Sequence, residues 1–272
     1  MAGRRPRARA SERGGAWPAA RAGRMPSRVR VRCGTSGFSY LAWRGSFYPP
    51  KARPAELLPL YAARLPAVEI NATFYRSPSA RVLAGWRAQV PPGFAFALKG
   101  PQRITHAKRL AGVEEEASRF HAAAAALGPA LGPVLWQLPP SFRKDLARLE
   151  AFLALLPPGA PAAFELRHPS WRSDDVLAAL ARHGAALATS DDGEREAPVL
   201  PTAPWGYLRL RAPDYDAAGL RAWATRILSQ PWGEAWVFFK HEDAGRGPAL
   251  ALALAAVLGE GAGAERTPWT GP

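Results

Sequence analysis

The sequence has a single cysteine, and it lacks both a long apolar run and a secretory signal segment. Cys33 on its own excludes an internal disulfide framework. No run of ~18 apolar residues free of charge is present, so no membrane span is expected. The charged N-terminus is not followed by the apolar stretch that a secretory signal requires. We therefore expect a soluble chain located in the cytoplasm.

Acidic residues are scarce, and the formal net charge is +14. Residues 1–28 hold eight arginines against one acid, Glu12. Residues 1–27 are rich in Arg, Ala, Gly and Pro, a composition that predicts disorder because it cannot bury apolar area. Two interpretations stay open: a nucleic-acid-binding arm, or a consequence of the choice of start site, since Met25 lies just before the first strand-like segment. The remaining body is basic as well, which favours an anionic partner or substrate.

From residue 28 to residue 260 the pattern alternates short apolar runs with helical periodicity, which is typical of a parallel α/β fold. Eight runs predict strands, at residues 29–33, 68–70, 94–98, 134–138, 162–166, 185–189, 206–210 and 235–239. Eight strands and a length near ~250 residues predict a single (β/α)8 TIM-type barrel. Residues 191–204 hold Gly, three Pro and several charges, so we expect a loop instead of the sixth helix. Residues 261–272 are expected to be frayed.

An open dinucleotide-binding sheet is disfavoured, because Gly34, Gly37 and Gly45 do not have the spacing of the glycine-rich fingerprint. The two ends of the predicted strands also differ from each other. Turn-forming Gly and Pro without charge precede most of the strands, whereas polar or charged residues follow them. In barrels of this type the carboxyl-terminal rim carries the active site. We therefore expect the functional site at that rim.

Strand alternation places residues two apart on the same face. Three pairs are thereby predicted to point into the barrel mouth: Glu69 with Asn71, Glu165 with Arg167, and Arg209 with Arg211. Buried charges are costly unless paired. The two glutamates should therefore find cationic partners among Arg167, Lys99 and Arg209, and a purely structural ion-pair network is the competing interpretation.

One functional hypothesis is a hydrolase or isomerase acting on an anionic or sugar-like molecule. Its predicted catalytic residues are Glu69, Glu165, His168 and Asp191, with the carboxyl groups and imidazole as general acid or base. Two carboxylates would also suit glycoside cleavage. The predicted substrate-binding residues supply cations, amides and rings for stacking, with Tyr48 as a further aromatic. They are Asn71, Tyr75, Lys99, His106, Gln137, Arg167, Trp171, Arg209 and Lys240.

Two other hypotheses remain open. A metal-dependent phosphoesterase or nuclease could use Glu69, Glu165, Asp191 and a histidine, although no tight ligand motif is present and the nearby cations would repel a metal. A non-catalytic protein could bind nucleic acid or an anionic metabolite through its basic surface. Cys33 as a nucleophile, and Lys99 or Lys240 as Schiff-base lysines, are weaker options. The residues name neither a cofactor nor an oligomeric state.

Several long strings in a fixed order are specific enough to suggest a family. They are GTSGFSYLAWRGSFYP at 34–49, VEINATFYRSP at 68–78, KGPQRITHAKRL at 99–110, LGPVLWQLPPSF at 131–142, AFELRHPSW at 163–171, SDD at 190–192 and YLRL at 207–210. On these strings the chain resembles the YecE-like family, known as domain of unknown function 72. The resemblance implies a TIM-type barrel and supplies no reaction. Relatives tend to have His-Gly where Arg211 and Ala212 stand, and an Asn-rich end of strand eight where FFKHEDAG stands at 238–245. Any family role of those positions is therefore either absent here or passed to Arg211, Lys240 and His241.

Overall fold

Nine parallel strands form a barrel in a computed structural model that describes residues 29–194 and 198–260. The predictions for residues 1–27 and 261–272 lie outside the described residues. The strands are β1 (Arg30–Ser36), β2 (Ala67–Ile70), β3 (Ala95–Lys99), β4 (Leu131–Leu138), β5 (Ala162–Leu166), β6 (Ala186–Leu187), β7 (Thr189–Asp191), β8 (Trp205–Leu210) and β9 (Glu234–Phe239). Their order around the sheet is β6-β5-β4-β3-β2-β1-β9-β8-β7.

The sixth strand position is interrupted, and this interruption joins the two edges of the sheet. Only Ala188 separates β6 from β7, yet β6 pairs with β5 while β7 pairs with β8. The amide of Ala188 still donates to the Phe164 carbonyl over 2.9 Å, so the chain leaves β5 only after this residue. Eight strand positions are thus filled, and the prediction of a TIM-type barrel is confirmed.

The helices pack outside the barrel. They are α1 (Leu57–Ala62), α2 (Ala72–Tyr75), α3 (Ala80–Arg87), α4 (Glu114–Ala124), α5 (Leu146–Leu155), α6 (Asp174–Arg182), α7 (Ala217–Leu228) and α8 (Arg246–Glu260). Side-chain oxygens of Ser79, Asp145 and Asp216 accept the amide three residues on, which stabilises the starts of α3, α5 and α7. Across the part of the chain that the structure describes, no helix is long and apolar enough to cross a membrane.

A loop takes the place of the sixth barrel helix, as predicted. The described residues between β7 and β8, 192–194 and 198–204, contain no helix. Thr202 anchors this loop to β6, because its hydroxyl donates to the Ala185 carbonyl and accepts the Leu187 amide, both over 2.8 Å. One side chain therefore holds the interrupted strand from the outside.

Apolar side chains fill both sides of the strands. Ile70, Phe164 and Leu208 face the surrounding helices and belong to the larger core, as alternation predicts. The lower interior of the barrel holds mostly small side chains around four large ones. The large ones are Leu135, Tyr207, Trp236 and Phe238, and most of the others are alanines. The barrel is therefore closed beneath its mouth.

Two sequence-based expectations at the ends of the barrel were wrong. The first strand does not end at Cys33, because β1 continues to Ser36. Gly34 allows this, since it has no side chain and the backbone of β2 lies very close to it. A Cβ atom at position 34 would lie 2.0 Å from the Ala67 carbonyl oxygen. The amino-terminal rim is not without charge either. Arg32 donates to Glu234 over 2.7 Å, and its guanidinium lies 5.0 Å from the centre of the Trp236 ring. This half-buried ion pair accommodates the charge of Arg32 within β1.

Candidate functional site

One arginine occupies the centre of the carboxyl-terminal mouth and binds two glutamates. Arg209, at the end of β8, donates Nε and Nη2 to the two carboxylate oxygens of Glu69, each over 2.9 Å. Its Nη1 donates to Glu165 Oε2 over 2.7 Å. All three side chains are almost fully buried. The prediction that both glutamates find cationic partners is confirmed, and Arg209 serves both of them from across the barrel.

Glu69 is saturated with donors. Besides Arg209, it accepts the hydroxyls of Ser36 and Tyr207 over 2.6 and 2.8 Å and the amide of Asn71 over 3.2 Å. Burial by itself would raise the pKa of this carboxyl, but Arg209 and these donors outweigh burial, and the pKa lies below its ordinary value. Glu69 therefore stays ionised at neutral pH with its oxygens occupied.

Glu165 is held in the same way. Gln137 donates to its Oε2 and Arg167 donates Nε to its Oε1, both over 2.8 Å. Burial again opposes ionisation, and Arg209 and Arg167 again prevail, so the pKa is strongly lowered. A carboxylate with a low pKa is a weak base and has no proton to donate. The geometry therefore does not support the expected general acid or base role for either glutamate; both serve to position Arg209 and Arg167.

Lys99 is a buried cation of the mouth, and it has no carboxylate partner among the described residues. It ends β3, it is 9% exposed, and its ammonium lies 3.9 Å from the centre of the Phe74 ring. Among the described residues no ion pair or hydrogen bond of its Nζ is found. Burial and the charge of Arg209 lower the pKa of Lys99 to about 8, despite the opposing effect of Glu69 and Glu165.

His106 also contacts the Phe74 ring. It sits in a π-helical turn, Arg103–Ala107, and its ring centre is 4.9 Å from that of Phe74. The Thr105 hydroxyl contacts its Nδ1 over 2.8 Å. Burial, then Lys99 and Arg167, lower the pKa of His106, so the imidazole is mainly neutral at neutral pH.

A cleft of about 480 Å³ opens beside Glu165 between the ends of β5, β7 and β8. Arg167 and Arg211 both line it, with Ser190 between them. Arg211 donates Nε and Nη2 to the Ser190 hydroxyl over 3.1 and 2.9 Å. Within the described residues Arg211 has no carboxylate partner, and Arg167 uses only its Nε. Two acids, Asp192 and Glu194, also line the cleft.

Two of the four predicted catalytic residues lie apart from the cluster of Arg209, Glu69 and Glu165. Asp191 accepts the Tyr215 hydroxyl over 2.8 Å and the Gly193 amide over 3.0 Å, because it points to the opposite face of β7 from Ser190. His168 follows β5 on the outward register, and its Nδ1 accepts the Ser170 amide over 3.1 Å at the start of a short turn. The described residues contain no group of three or more His, Cys, Asp and Glu side chains that could hold a metal ion. The donor set of the metal hypothesis is therefore not assembled.

The aromatic residues expected to stack on a ligand differ in access. Trp171 is 1% exposed and donates its indole N–H to the Phe142 carbonyl, so it contributes only to the wall of the cleft. Tyr48 is buried as well, with its hydroxyl bound to the Phe38 carbonyl. Tyr75 is 73% exposed.

Lys240 is exposed just past β9. Cys33 is buried and its thiol has a pKa raised to about 12 by burial, which removes it as a nucleophile.

The predicted site residues leave out four residues of the mouth: Ser36, Phe74, Ser190 and Tyr207. Tyr207 precedes Arg209 by two residues and shares its face, so alternation could have identified it. Ser36 and Ser190 were expected only as polar residues at the carboxyl-terminal ends of strands, without a role in the site. No sequence signal marks Phe74 or Ser190 as neighbours of Lys99 and Arg211, since each contact joins two different elements of the fold.

Comparisons with known proteins agree with this architecture. A model of the DUF72 family, described as a protein of unknown function, matches residues 32–272. The UPF0759 protein YecE of Escherichia coli is 33% identical over 112 residues, which span 41% of this chain and 41% of YecE. The UPF0759 protein YunF of Bacillus subtilis is 31% identical over 136 residues, or 47% of this chain and 48% of YunF.

Two solved structures are similar over most of the chain. A DUF72 family protein from Thermotoga maritima has a TM-score of 0.73 at 26% identity, and the match covers 84% of this chain and 99% of that one. The structure of SacUVDE has a TM-score of 0.52 at 11% identity, with 85% of this chain and 98% of that chain covered. A likeness at that level of identity shows the fold alone.

Proposed function

Because this chain belongs to the DUF72 family of proteins of unknown function, we propose its function from the geometry of the mouth: it binds a small anionic molecule in the cleft beside Glu165. The anion is a phosphate or carboxylate group, the ligands for which arginine is best suited. Arg167 and Arg211 are the residues that hold it.

The proposal rests on which arginines of the mouth are already bound to carboxylates and which are not. Arg209 neutralises both buried glutamates. Among the described residues, in contrast, the guanidinium of Arg211 bonds only a serine hydroxyl, and Arg167 bonds only through its Nε, which leaves both its Nη groups for a ligand. These two guanidinium groups line one cleft. Cations with unused donors in a partly dry cleft favour an anion, because electrostatic attraction is weakly screened there.

The walls of the cleft select a compact ligand with an apolar part. Leu166, Trp171, Leu187 and Leu200 line it together with the two arginines. A cleft of about 480 Å³ lies within the range that takes small metabolites. The proposal gives Glu69 and Glu165 no role as general acid or base, because both carboxylates are already hydrogen-bonded to arginine.

Calorimetric titration with inorganic phosphate and with ribose 5-phosphate tests this site. We expect both to bind, and Arg167→Gln and Arg211→Gln each to weaken binding by about tenfold to a hundredfold, the cost of a lost charge-assisted hydrogen bond. Arg182→Gln is the matched control. It removes the same charge from an exposed position on α6, where the arginine pairs with Glu150. Equal losses in all three variants, or no loss in the first two, would contradict the proposal.

A further inference from the structure

Only five of the 36 lysine and arginine residues of the chain are lysines, and only one of them is buried. Lys51, Lys144 and Lys240 are exposed, and Lys108 is half-buried and paired with Glu116. Lys99 alone lies inside the mouth. The chain therefore carries nearly all its positive charge on arginine, and has its buried lysine at a position where both Arg209 and Arg167 act on it, together with Glu69 and Glu165.

We propose that Lys99 is a nucleophilic amine that forms an imine with an anionic aldehyde or ketone bound in the mouth. This inference rests on the anion site proposed above, because Arg167 and Arg211 would hold the negative group of the same molecule. An arginine could not serve at position 99, since guanidinium stays protonated in proteins.

The surroundings of Lys99 favour its neutral form. Its ammonium contacts the face of Phe74, and both nearby carboxylates are already bound by Arg209. The groups whose charges act on it are Arg209, Glu69, Glu165 and Arg167. With its pKa at about 8, roughly a quarter of the amine would be unprotonated at pH 7.5, against less than about 1% for an ordinary lysine. Lysines that form imines in enzymes are activated in this way.

The covalent step balances without any further reactant. The Nζ lone pair attacks the carbonyl carbon, and the carbonyl π pair moves to oxygen. The oxygen then leaves as water with the two protons that the amine nitrogen gives up. His106 is placed to pass these protons, because it flanks the same phenyl ring and its Nδ1 is held by Thr105, which leaves Nε2 for exchange.

The positions of the two sites suit one small molecule. Lys99 ends β3 and Glu165 lies near the end of β5, with only β4 between these two strands. Glu165 accepts the Nε of Arg167, so Arg167 lies on the side of the mouth towards Lys99, and its charge lowers the pKa of both Lys99 and His106. The same arginine lines the cleft that takes the anion. A compound that carries its carbonyl a few bonds from a phosphate or carboxylate can therefore reach Lys99 while its anion stays at the arginines.

Pyridoxal 5′-phosphate, an anionic aldehyde, is the probe for this reaction. The full-length protein is incubated with it and sodium cyanoborohydride near pH 7.5, and the modified lysines are mapped by mass spectrometry. We expect Lys99 to be modified at least about tenfold faster than each of the other four lysines, as its larger neutral fraction requires. Inorganic phosphate should slow this modification. Lys99→Arg should abolish it, whereas Lys144→Arg, an exposed control, should change neither the modification of Lys99 nor the binding of phosphate.

The outcomes separate the two proposals. Equal modification of all five lysines in the wild-type protein, with phosphate still bound in calorimetry, overturns the imine and leaves the anion site intact. Fast modification of Lys99 by neutral acetaldehyde that phosphate does not slow overturns the anion site, and with it the anionic class of substrate. Both readouts use the wild-type protein, so they hold even if the Lys99 variant does not fold.

Discussion

The guanidinium of Arg209 determines the arrangement of the whole mouth. Its five hydrogen-bond donors lie in one rigid plane, so it binds Glu69 through two nitrogens and Glu165 through the third. Glu69 and Glu165 come from β2 and β5, so one residue connects distant strands of the barrel. A buried pair of this kind is costly to break, since the partner that remains is a charge without compensation.

Replacing Arg209 with Met should therefore lower the free energy of unfolding by about 3–5 kcal/mol, as for other buried ion pairs that lose one partner. Urea denaturation followed by circular dichroism measures this. Arg211→Met is the control, because Arg211 contacts only Ser190, and a change below about 1 kcal/mol is expected. Similar losses in the two variants would show that Arg209 is not the structural centre of the mouth.

The lowered pKa of Lys99 makes the free energy of unfolding depend on pH. Its folded pKa of about 8 is lower than the value near 10.4 of an unfolded lysine. Between these two values the unfolded chain binds more protons than the folded one, so the free energy of unfolding rises with pH. Relative to Lys99→Met, the wild-type protein should therefore gain stability from about pH 8 to about pH 10.

Urea denaturation at a series of pH values, for the wild-type protein and this variant, checks the prediction. Buried tyrosines such as Tyr61 and Tyr207 affect both proteins equally in this window and cancel in the difference. Lys240→Met, at an exposed position, should show no such gain. A difference that stays constant with pH would mean that Lys99 is not desolvated.

Among the elements, the interrupted sixth strand is the least supported part of the barrel. Most strands are followed by a helix that covers them, whereas β7 is followed by a loop without a helix in its described residues. Thr202 compensates by bonding both Ala185 and Leu187. Since β7 carries Ser190 at the cleft, the order of this loop also matters for the proposed anion site.

Thr202→Val removes the hydroxyl at nearly constant shape and leaves one amide and one carbonyl of β6 without their partner. We expect a loss of about 1–3 kcal/mol, the cost of unpaired buried polar groups. Hydrogen exchange should also become faster at Leu187. Thr225→Val is the matched control, because that hydroxyl bonds a carbonyl on the exposed side of α7. Unchanged exchange at Leu187 would contradict the anchoring role.

In the molecule as a whole, the apolar side chains fill the lower part of the barrel and the charged side chains lie above them in the mouth. Trp236, Phe238 and Tyr207 fill the lower part, and the ion pairs of Arg209 lie above them. The apolar layer excludes water from below, so the charges in the mouth interact in a medium of lower permittivity than water. The lowered pKa values of Lys99 and His106 are local consequences of this separation.

The sequence by itself determined the barrel, the polar and charged character of its carboxyl-terminal rim, and the inward face of the three residues at the centre of the mouth. These follow from local regularities: helical and strand periodicity, Gly and Pro before the strands, and the alternation that turns Glu69, Glu165 and Arg209 inward. The loop in place of the sixth helix was predictable from the local sequence too, since residues 191–204 combine three Pro with Gly and several charges, which disfavours a continuous helix.

Only the tertiary structure decided which charges meet. Alternation cannot tell whether Glu69 pairs with Lys99 or with Arg209, because that choice depends on distances across the barrel. Alternation also cannot show that the side chains of Asp191 and His168 point away from the mouth. A shift of one residue at the end of a strand reverses the direction of a side chain, and the sequence does not define that end so closely. The mouth acquired its unpaired cations only when the strands closed into a barrel and Arg209 took both glutamates.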